Sequence, residues 1–190
     1  MKTRESGMPL EGMWQQFFDP PAILKKLNLT SACGNLLEFG CGYGTFTIPA
    51  ARMICGTVYA LDIEEDMLAC TKAKAMAANL QNVELRCRDF AVDGSGLADR
   101  SVDYVMLFNI LHADERLELL REVERVLSVN GQLAVIHWNY DPTTPRGPSM
   151  SIRPRPSECV AWAAFAGLRS VSDGPVDLPP YHYGMLFQRR

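Results

Sequence analysis

Three alternating glycines and a nearby acid have the spacing that points most directly to chemistry. Gly40, Gly42 and Gly44 follow an apolar run in the segment LEFGCGYGT (37–45), and Glu38 stands two residues before the first of them. Such glycines let the backbone turn sharply and contact a ligand while the N-terminus of the next helix faces it. The dinucleotide fingerprint needs its third glycine one residue later. The pattern therefore predicts a cofactor site and argues against NAD.

The elements that must position this loop follow from the hydrophobic pattern. Several short runs are apolar on both faces, which is typical of buried parallel strands. These runs are residues 35–39, 57–61, 83–87, 102–108 and 132–137. Apolar residues return at three- and four-residue spacing in 46–55, 65–79 and 115–129, which predicts helices, and Asn130-Gly131 is expected to cap the last of them. The alternation predicts an α/β fold with a Rossmann-like, doubly wound sheet and helices on both faces.

The two ends of the chain depart from this alternation. A helical cap is predicted at 1–33, followed by a cofactor-binding core at 34–138. A proline-rich loop, a helix and a closing hairpin are expected at 139–190, on the substrate side. Residues 172–182, which connect the two strands of the hairpin, are expected to form a loop. At 190 residues, the chain has the length of one domain.

Composition limits the classes of partner. The chain is 47% hydrophobic and carries a formal net charge of -3, so no overall positive field would attract nucleic acid or an anionic membrane. The six cysteines form no C-x-x-C pair, and we expect reduced thiols and no metal. Neither a signal peptide nor a membrane span is apparent, which favours a cytoplasmic protein. The oligomeric state is left open.

The glycine loop resembles motif I of the class I S-adenosylmethionine-dependent methyltransferases. Three further segments resemble the family's later landmarks in order and spacing. They are YALDIEEDML (59–68), SVDYVMLFNILH (101–112) and LREVERVLSVNGQL (120–133). The resemblance covers residues 34–138 and implies seven strands, mostly parallel, with an antiparallel last strand. The turn at 109–112 is similar to that of the quinone-biosynthesis-like branch, which implies a small-molecule methyl acceptor.

The same resemblance implies which residues bind S-adenosylmethionine and release S-adenosylhomocysteine. Asp62 would accept hydrogen bonds from both ribose hydroxyls, and Asp89 would take the adenine amino group. Phe90 would flank the adenine ring. The resemblance also implies cofactor contacts from the glycine loop and from residues near the ends of the neighbouring strands. The implied cofactor set comprises Glu38, Gly40, Gly42, Gly44, Asp62, Ile63, Asp89, Phe90 and Asn109.

Two histidines at strand ends are candidates for proton transfer. Methyl transfer from a sulfonium needs mainly positioning and desolvation, but a hydroxyl, thiol or acidic carbon acceptor also needs a base. His112 follows the fourth strand and is the candidate catalytic base, with a structural role in its turn as the alternative. His137, on the fifth strand, has a side-chain direction that alternation does not settle, and it is a candidate substrate contact.

The C-terminal region supplies the remaining candidate substrate contacts. Arg146 and Arg153 lie in a proline-rich loop that has a local charge of +3 and no acid, where guanidinium groups could clamp a carboxylate or phosphate. A solvated surface loop is the alternative. Tyr140 and Tyr181 flank the same region. Neither the acceptor atom nor the substrate follows from the sequence.

Two other functions are compatible with the sequence. One is an NAD(P)-linked oxidoreductase on a similar fold, which the early third glycine and Glu38 disfavour. The other is a noncatalytic protein that binds S-adenosylmethionine but has no acceptor site. Binding of NAD(P) rather than S-adenosylmethionine would identify the oxidoreductase. Binding of S-adenosylmethionine without methyl transfer would identify the noncatalytic protein.

Overall fold

A computed structural model describes residues 9–189 of the chain. The parts of the predicted cap and closing region at 1–8 and at 190 lie outside the described residues. All five apolar runs form strands; the largest difference from the prediction is at the start of the fifth, and further strands lie in the C-terminal region. The strands are β1 Leu36–Phe39, β2 Val58–Asp62, β3 Val83–Cys87, β4 Val102–Phe108, β5 Leu127–Trp138, β6 Leu168–Ser170, β7 Val176–Leu178 and β8 His182–Arg189.

Helices occupy the three segments in which the periodicity predicts them, and further helices lie outside those segments. The helices are α1 Glu11–Trp14, α2 Pro20–Lys26, α3 Thr47–Met53, α4 Glu65–Ala77, α5 Phe90–Asp93, α6 Arg116–Val126 and α7 Pro156–Phe165. A turn of 3₁₀-helix at Gln15–Phe17 joins α1 to the segment before α2. Asp19 caps α2 by accepting a hydrogen bond from the Ala22 amide, and prolines occupy the first turns of α2 and α7, where no intrahelical N–H is needed.

The strands form one mixed sheet of order β3-β2-β1-β4-β5-β8-β6, in which β7 also pairs with β8. The β1–β5 strands pair in parallel, and β8 runs antiparallel to β5, β6 and β7. The predicted doubly wound fold with an antiparallel last strand is confirmed. The eighth strand, β7, was not predicted, because its three residues lie between Pro175 and Pro179 in what reads as a loop.

Helices cover both faces of the sheet. On one face, Leu120 and Val123 of α6 pack into a core that includes Val105 of β4 and Val135 of β5. On the other face, Leu24 of α2 and Ala50 of α3 join a second core that includes Leu36 and Met106. Since successive side chains of a strand point to opposite faces, Glu38 of β1 lies on the same face as Leu36, beside α3. The sheet thus carries a carboxyl group under the start of a helix.

The boundary between α6 and β5 differs from the prediction. The helix ends at Val126, and Leu127 already pairs with Val102 of β4. Asn130 has a left-handed φ of 67°, but it lies within β5 at a register shift. The prediction that Asn130-Gly131 caps the helix was therefore wrong. Pairing with β4 extends the chain before the left-handed residue is reached.

Membrane-spanning helices and clustered metal ligands are both absent from the described residues. Among residues 9–189, no helix is long and apolar enough to cross a membrane. Within the same range, no group of three or more His, Cys, Asp or Glu side chains could hold a metal ion.

Candidate active site

The glycine loop connects β1 to α3 and is held against α4. Gly40 and Gly44 have φ values of 70° and 73°, which favour glycine. A Cβ at Gly44 would lie 2.9 Å from the hydroxyl oxygen of Thr71, so the close packing also requires glycine there. The Thr71 hydroxyl donates to the Gly42 carbonyl at 2.8 Å. These contacts hold the glycine loop against α4.

Asp62, the last residue of β2, ties that loop to the neighbouring strand. Its Oδ2 accepts a hydrogen bond from the Gly42 amide at 2.8 Å, and its Oδ1 accepts one from the Glu64 amide at 3.0 Å. The side chain lines the cavity although it is only 8% exposed. Each carboxylate oxygen can accept a second hydrogen bond. Asp62 therefore orders the loop and can still accept hydrogen bonds from a ligand.

Glu38 is a buried carboxyl at the floor of the cavity. The hydroxyl of Thr47 donates to its Oε2 at 2.5 Å. Burial raises the pKa of Glu38 to about 8; the Thr47 hydrogen bond lowers it in part, and the negative charge of Asp62 raises it further. The carboxyl is therefore mainly protonated at neutral pH in the free protein. A cationic group placed next to it would favour the ionised form.

Asn109 presents an unpaired amide to the same cavity. The residue follows β4 with a left-handed φ of 58°, and its backbone N–H donates to the Ile136 carbonyl at 2.7 Å. Neither the nitrogen nor the oxygen of its buried side-chain amide has a hydrogen-bond partner among the described residues. Because unpaired buried polar groups are costly, the amide is a candidate contact for a polar ligand in the cavity.

Aromatic side chains from the strand ends and from the N-terminal helical segment form one wall of the cavity. Phe46 and Phe108 meet edge to face with ring centres 4.8 Å apart, and Trp14 and Trp138 also line the cavity. Phe18 lies between Trp14 and Phe46, at 4.8 Å and 5.2 Å from their ring centres. Such a wall favours a flat, apolar part of a ligand.

A model of the methyltransferase domain family matches residues 36–131, which contain the glycine loop and the strand ends around the cavity. The chain belongs to this family. The match includes β1–β4 and the beginning of β5, so the resemblance drawn from the motifs is confirmed for the half of the chain that holds the cavity's carboxylates.

Curated relatives of this methyltransferase domain are longer than the present chain. Demethylmenaquinone methyltransferase of Listeria welshimeri is 36% identical over 109 residues, which are 54% of this chain and 44% of the relative. An uncharacterized methyltransferase-like protein of Schizosaccharomyces pombe is 31% identical over 110 residues, which are 58% of this chain and 40% of that protein. The chain spans less than half the length of these two relatives.

A solved structure is similar over nearly the whole chain. The crystal structure of a SAM dependent methyltransferase from Aquifex aeolicus superposes with a TM-score of 0.81 and 26% sequence identity, covering 92% of each chain. The similarity includes the region beyond residue 131 that the family model does not match. The fold of the C-terminal third therefore also agrees with a methyltransferase.

The structure of the methyltransferase domain brings most of the predicted cofactor residues to one cavity. Those that line it are Glu38, Gly40, Gly42, Asp62, Ile63, Asp89, Phe90 and Asn109. Gly44 lies instead beside a shallow groove on the outer side of the loop, where its missing side chain makes room for Thr71. Trp14 and Arg88 also line the cavity but were not among the predicted site residues.

The predicted histidines occupy different positions. His112 lines the cavity and is 5% exposed, whereas His137 is fully buried behind it. Their rings contact each other, with His112 Nδ1 3.3 Å from His137 Nε2. Burial lowers the pKa of His137 well below its usual value, with a further contribution from the neighbouring basic groups. His137 therefore does not reach the cavity directly.

The two arginines that were predicted to contact substrate from the proline-rich loop also occupy different positions. Arg146 lines the cavity with an exposed side chain, whereas Arg153 is 7% exposed and points into its own loop. The Arg153 guanidinium donates hydrogen bonds to the carbonyls of Asn139, Asp141, Arg146 and Pro148 and to the hydroxyl of Thr144, at 2.7–3.3 Å. These bonds occupy the donors that were expected to clamp a substrate. The interpretation of Arg153 as a substrate contact thus has no support in the geometry.

The two predicted tyrosines lie outside the residues that line the cavity. Tyr140 stacks under the guanidinium of Arg155, whose central carbon is 3.5 Å from the ring centre. Tyr181 packs against Phe17 and Trp138, with ring centres 5.9 Å and 6.3 Å away. Tyr181 therefore supports the aromatic wall from behind rather than facing the cavity.

Proposed function

We propose that this chain is an S-adenosylmethionine-dependent methyltransferase that acts on a small organic acceptor. The observation that carries the proposal is the convergence of the glycine loop, two buried carboxyl groups and the unpaired amide of Asn109 on one cavity. When bound, the cofactor would supply a methyl group on a positively charged sulfur that also serves as the leaving group. The protein's task is then to bind, orient and exclude water.

The residues around the cavity fit the parts of this cofactor. Asp62 has acceptor capacity left for the ribose hydroxyls, and Asp89, which also lines the cavity, would take the adenine amino group. Ile63 and Phe90 would flank the adenine ring. Glu38 would ionise next to the cofactor's ammonium group, and the gain in charge pairing would offset its burial.

The acceptor would lie between the aromatic wall and His112. Trp14, Phe108 and Trp138 favour a flat ring, and Arg146 could pair with an anionic substituent on it. The name demethylmenaquinone methyltransferase among the relatives is consistent with a ring acceptor. His112 would accept the acceptor's proton. No nucleic acid is expected as a substrate, since the overall charge is negative.

The proposal is tested by calorimetric titration with S-adenosylmethionine, S-adenosylhomocysteine and NAD. Micromolar binding of the first two, with no heat from NAD, is the expected result. Binding of NAD alone would contradict it. If the cofactor binds but a screen of flat phenolic and carboxylated acceptors gives no S-adenosylhomocysteine, the noncatalytic alternative gains support.

A substitution in the glycine loop tests whether S-adenosylmethionine binds there. Gly42 has a left-handed φ of 50° and lines the cavity, so Gly42→Val should weaken S-adenosylmethionine binding at least about tenfold by straining the backbone and filling the cavity's edge. Gly174→Val is the matched control, because a Cβ there meets nothing within 4 Å. Equal dissociation constants for both folded variants would contradict the assignment.

A further inference from the structure

Arg88 connects the end of β3 to the far end of the short helix α5. Its Nε donates a hydrogen bond to the Gly94 carbonyl and its Nη2 donates one to the Asp93 carbonyl, both at 2.6 Å. The last carbonyls of a helix have no partner within that helix, and a guanidinium can satisfy two of them at once. Because Arg88 precedes α5 in the chain, these two hydrogen bonds close a loop around the whole helix.

The turn that follows α5 makes room for this guanidinium. A Cβ at Gly96 would lie 2.9 Å from the central carbon of the Arg88 guanidinium, so a side chain at that position would displace the arginine. On its other side the turn is fixed to α6, because the backbone amide and the hydroxyl of Ser95 both donate to Glu122 Oε1, at 2.7 Å and 2.5 Å. Glu122 thus holds the turn against α6, whereas Arg88 holds the end of α5 against the sheet.

The helix α5 is too short to hold its own shape. It has four residues, and the amides of the last two donate to the Asp89 carbonyl at 3.1 Å and 2.8 Å. A single helical turn fixes several backbone angles for few hydrogen bonds, so it is unstable without support from outside. Loss of the Arg88 bridge should therefore loosen the whole turn, including its first residue, Phe90.

Phe90 is the aromatic side chain that α5 presents to the cavity. Its ring meets Phe39 of β1 edge to face, with ring centres 5.2 Å apart, and the position of its backbone is set by α5. The Arg88 backbone N–H also donates to the Asp62 carbonyl at 2.8 Å. Arg88 therefore joins α5 to the strand whose last carboxylate is proposed to bind ribose, and it fixes the distance from that carboxylate to the Phe90 ring.

We propose that Arg88 is a positioning residue for the adenine ring of the cofactor, because its guanidinium holds α5 in the place where Phe90 flanks that ring. The inference rests on the proposed use of S-adenosylmethionine. Two of the three guanidinium nitrogens are engaged with carbonyls at the end of α5, so Arg88 acts through Phe90 and not by contact with the ligand. Lysine can replace it only in part, because an ammonium group lacks the planar fork that reaches both carbonyls.

Calorimetric titration with S-adenosylhomocysteine tests the role of the guanidinium. Arg88→Met keeps an unbranched side chain without donors and should raise the dissociation constant about tenfold, and Arg88→Lys should recover part of the loss. Arg86→Met is the matched control on the same strand, because Arg86 donates only to the Gly96 carbonyl, beyond α5, at 3.3 Å. The proposal is overturned if folded Arg88→Met binds as tightly as the wild type, or if both Met variants lose affinity equally.

A double-mutant cycle with Phe90→Ala separates positioning from direct contact and from general loosening. If Arg88 acts through the Phe90 ring, Arg88→Met should weaken binding less than about twofold once that ring is absent. A tenfold loss in both backgrounds would show that the guanidinium contacts the ligand or supports the entire cavity. That result would overturn the positioning role.

Hydrogen exchange in the ligand-free protein measures the bridge itself. The amide hydrogens of Val92 and Asp93 should exchange faster in Arg88→Met than in the wild type or Arg86→Met, and unchanged exchange would overturn the proposal. Absence of S-adenosylhomocysteine binding by the wild type would refute the proposed function and, with it, a role for Arg88 in adenine binding. Wild-type binding that Arg88→Met leaves unchanged would refute only the role of Arg88.

Discussion

Glu38 lies between the glycine loop and α3, where its charge state depends on what fills the cavity. Burial raises the pKa of its carboxyl to about 8, so the free protein holds a proton there at neutral pH. An ammonium group beside the carboxyl would lower that pKa again, because opposite charges favour ionisation. Binding of a cationic cofactor should therefore release a proton from this residue.

Proton release can be measured directly by calorimetry. Titration of S-adenosylmethionine at pH 7, in buffers with different heats of ionisation, should show net proton release by the wild type. Glu38→Gln should release less, because an amide has no proton to lose in this range. Glu65→Gln is the control, since Glu65 is exposed on α4. Proton release that is unchanged in Glu38→Gln would show that another group carries it.

Asp62 should be the more sensitive of the two carboxylates to a neutral replacement. In Asp62→Asn, only one oxygen remains to accept from Gly42 or Glu64, and the charge that would favour ribose hydroxyls is lost. Hydrogen bonds to charged groups contribute about 1.5–3 kcal/mol, so the dissociation constant of S-adenosylmethionine should rise about 10–100-fold. Calorimetry measures it, with exposed Asp66→Asn as the control. Equal affinities in the two folded variants would contradict a ligand role for Asp62.

The sequence was sufficient to predict which residues lie near the site, but not the orientation of their side chains. Glu38, Asp62 and Asn109 stand at strand ends, and the carboxyl ends of parallel strands meet at one edge of a sheet. Arg146 and Arg153 belong to the same irregular loop, and nothing local shows which of them turns inward. That choice depends on backbone carbonyls gathered only when the loop folds.

Among the elements, the regular strands and helices agreed with the hydrophobic pattern, and the exceptions have physical causes. β7 is three residues long, and its pairing with β8 outweighs the prolines on either side. α6 ends before its apparent cap because Leu127 gains a strand partner in Val102. In both places, contacts distant in sequence outweigh local propensity.

The loop between β5 and α7 depends on the buried guanidinium of Arg153. Arg153→Met removes its donors and leaves several carbonyls unpaired, so the unfolding free energy should fall by about 2–4 kcal/mol. We also expect faster hydrogen exchange at residues 139–153 and easier tryptic cleavage after Arg146. Arg155→Met is the matched control, because that side chain stacks on Tyr140 from the exposed side. Similar exchange in both variants would contradict the role of Arg153.

For the whole molecule, Glu38 makes the stability of the free protein depend on pH. A carboxyl whose pKa rises from 4.5 unfolded to about 8 folded binds more protons in the folded state between those values. The free energy of unfolding contributed by this group therefore falls as pH rises, by roughly 1.4 kcal/mol per pH unit over that window. Burial of the Glu38 carboxyl therefore lowers the stability of the free protein near neutral pH, and a cationic ligand can offset this loss.

Urea unfolding of wild type and Glu38→Gln at pH 6 and pH 8 measures this cost. The variant should gain stability relative to the wild type as pH rises, and the difference should be largest at pH 8. S-adenosylmethionine should reduce the difference by stabilising the wild type more. A stability difference that is the same at both pH values would show that Glu38 is not protonated in the free protein.

The position of β8 in the sheet has a consequence for synthesis on the ribosome. β8 is the partner of both β5 and β6, so β5 has an open edge until residues 182–189 have left the exit tunnel. A nascent chain at that stage already contains the glycine loop and the cavity's carboxylates, but it also exposes an unpaired strand edge that can pair with another chain. Slow translation of these residues would lengthen that exposure, and the nascent protein should then depend more on chaperones.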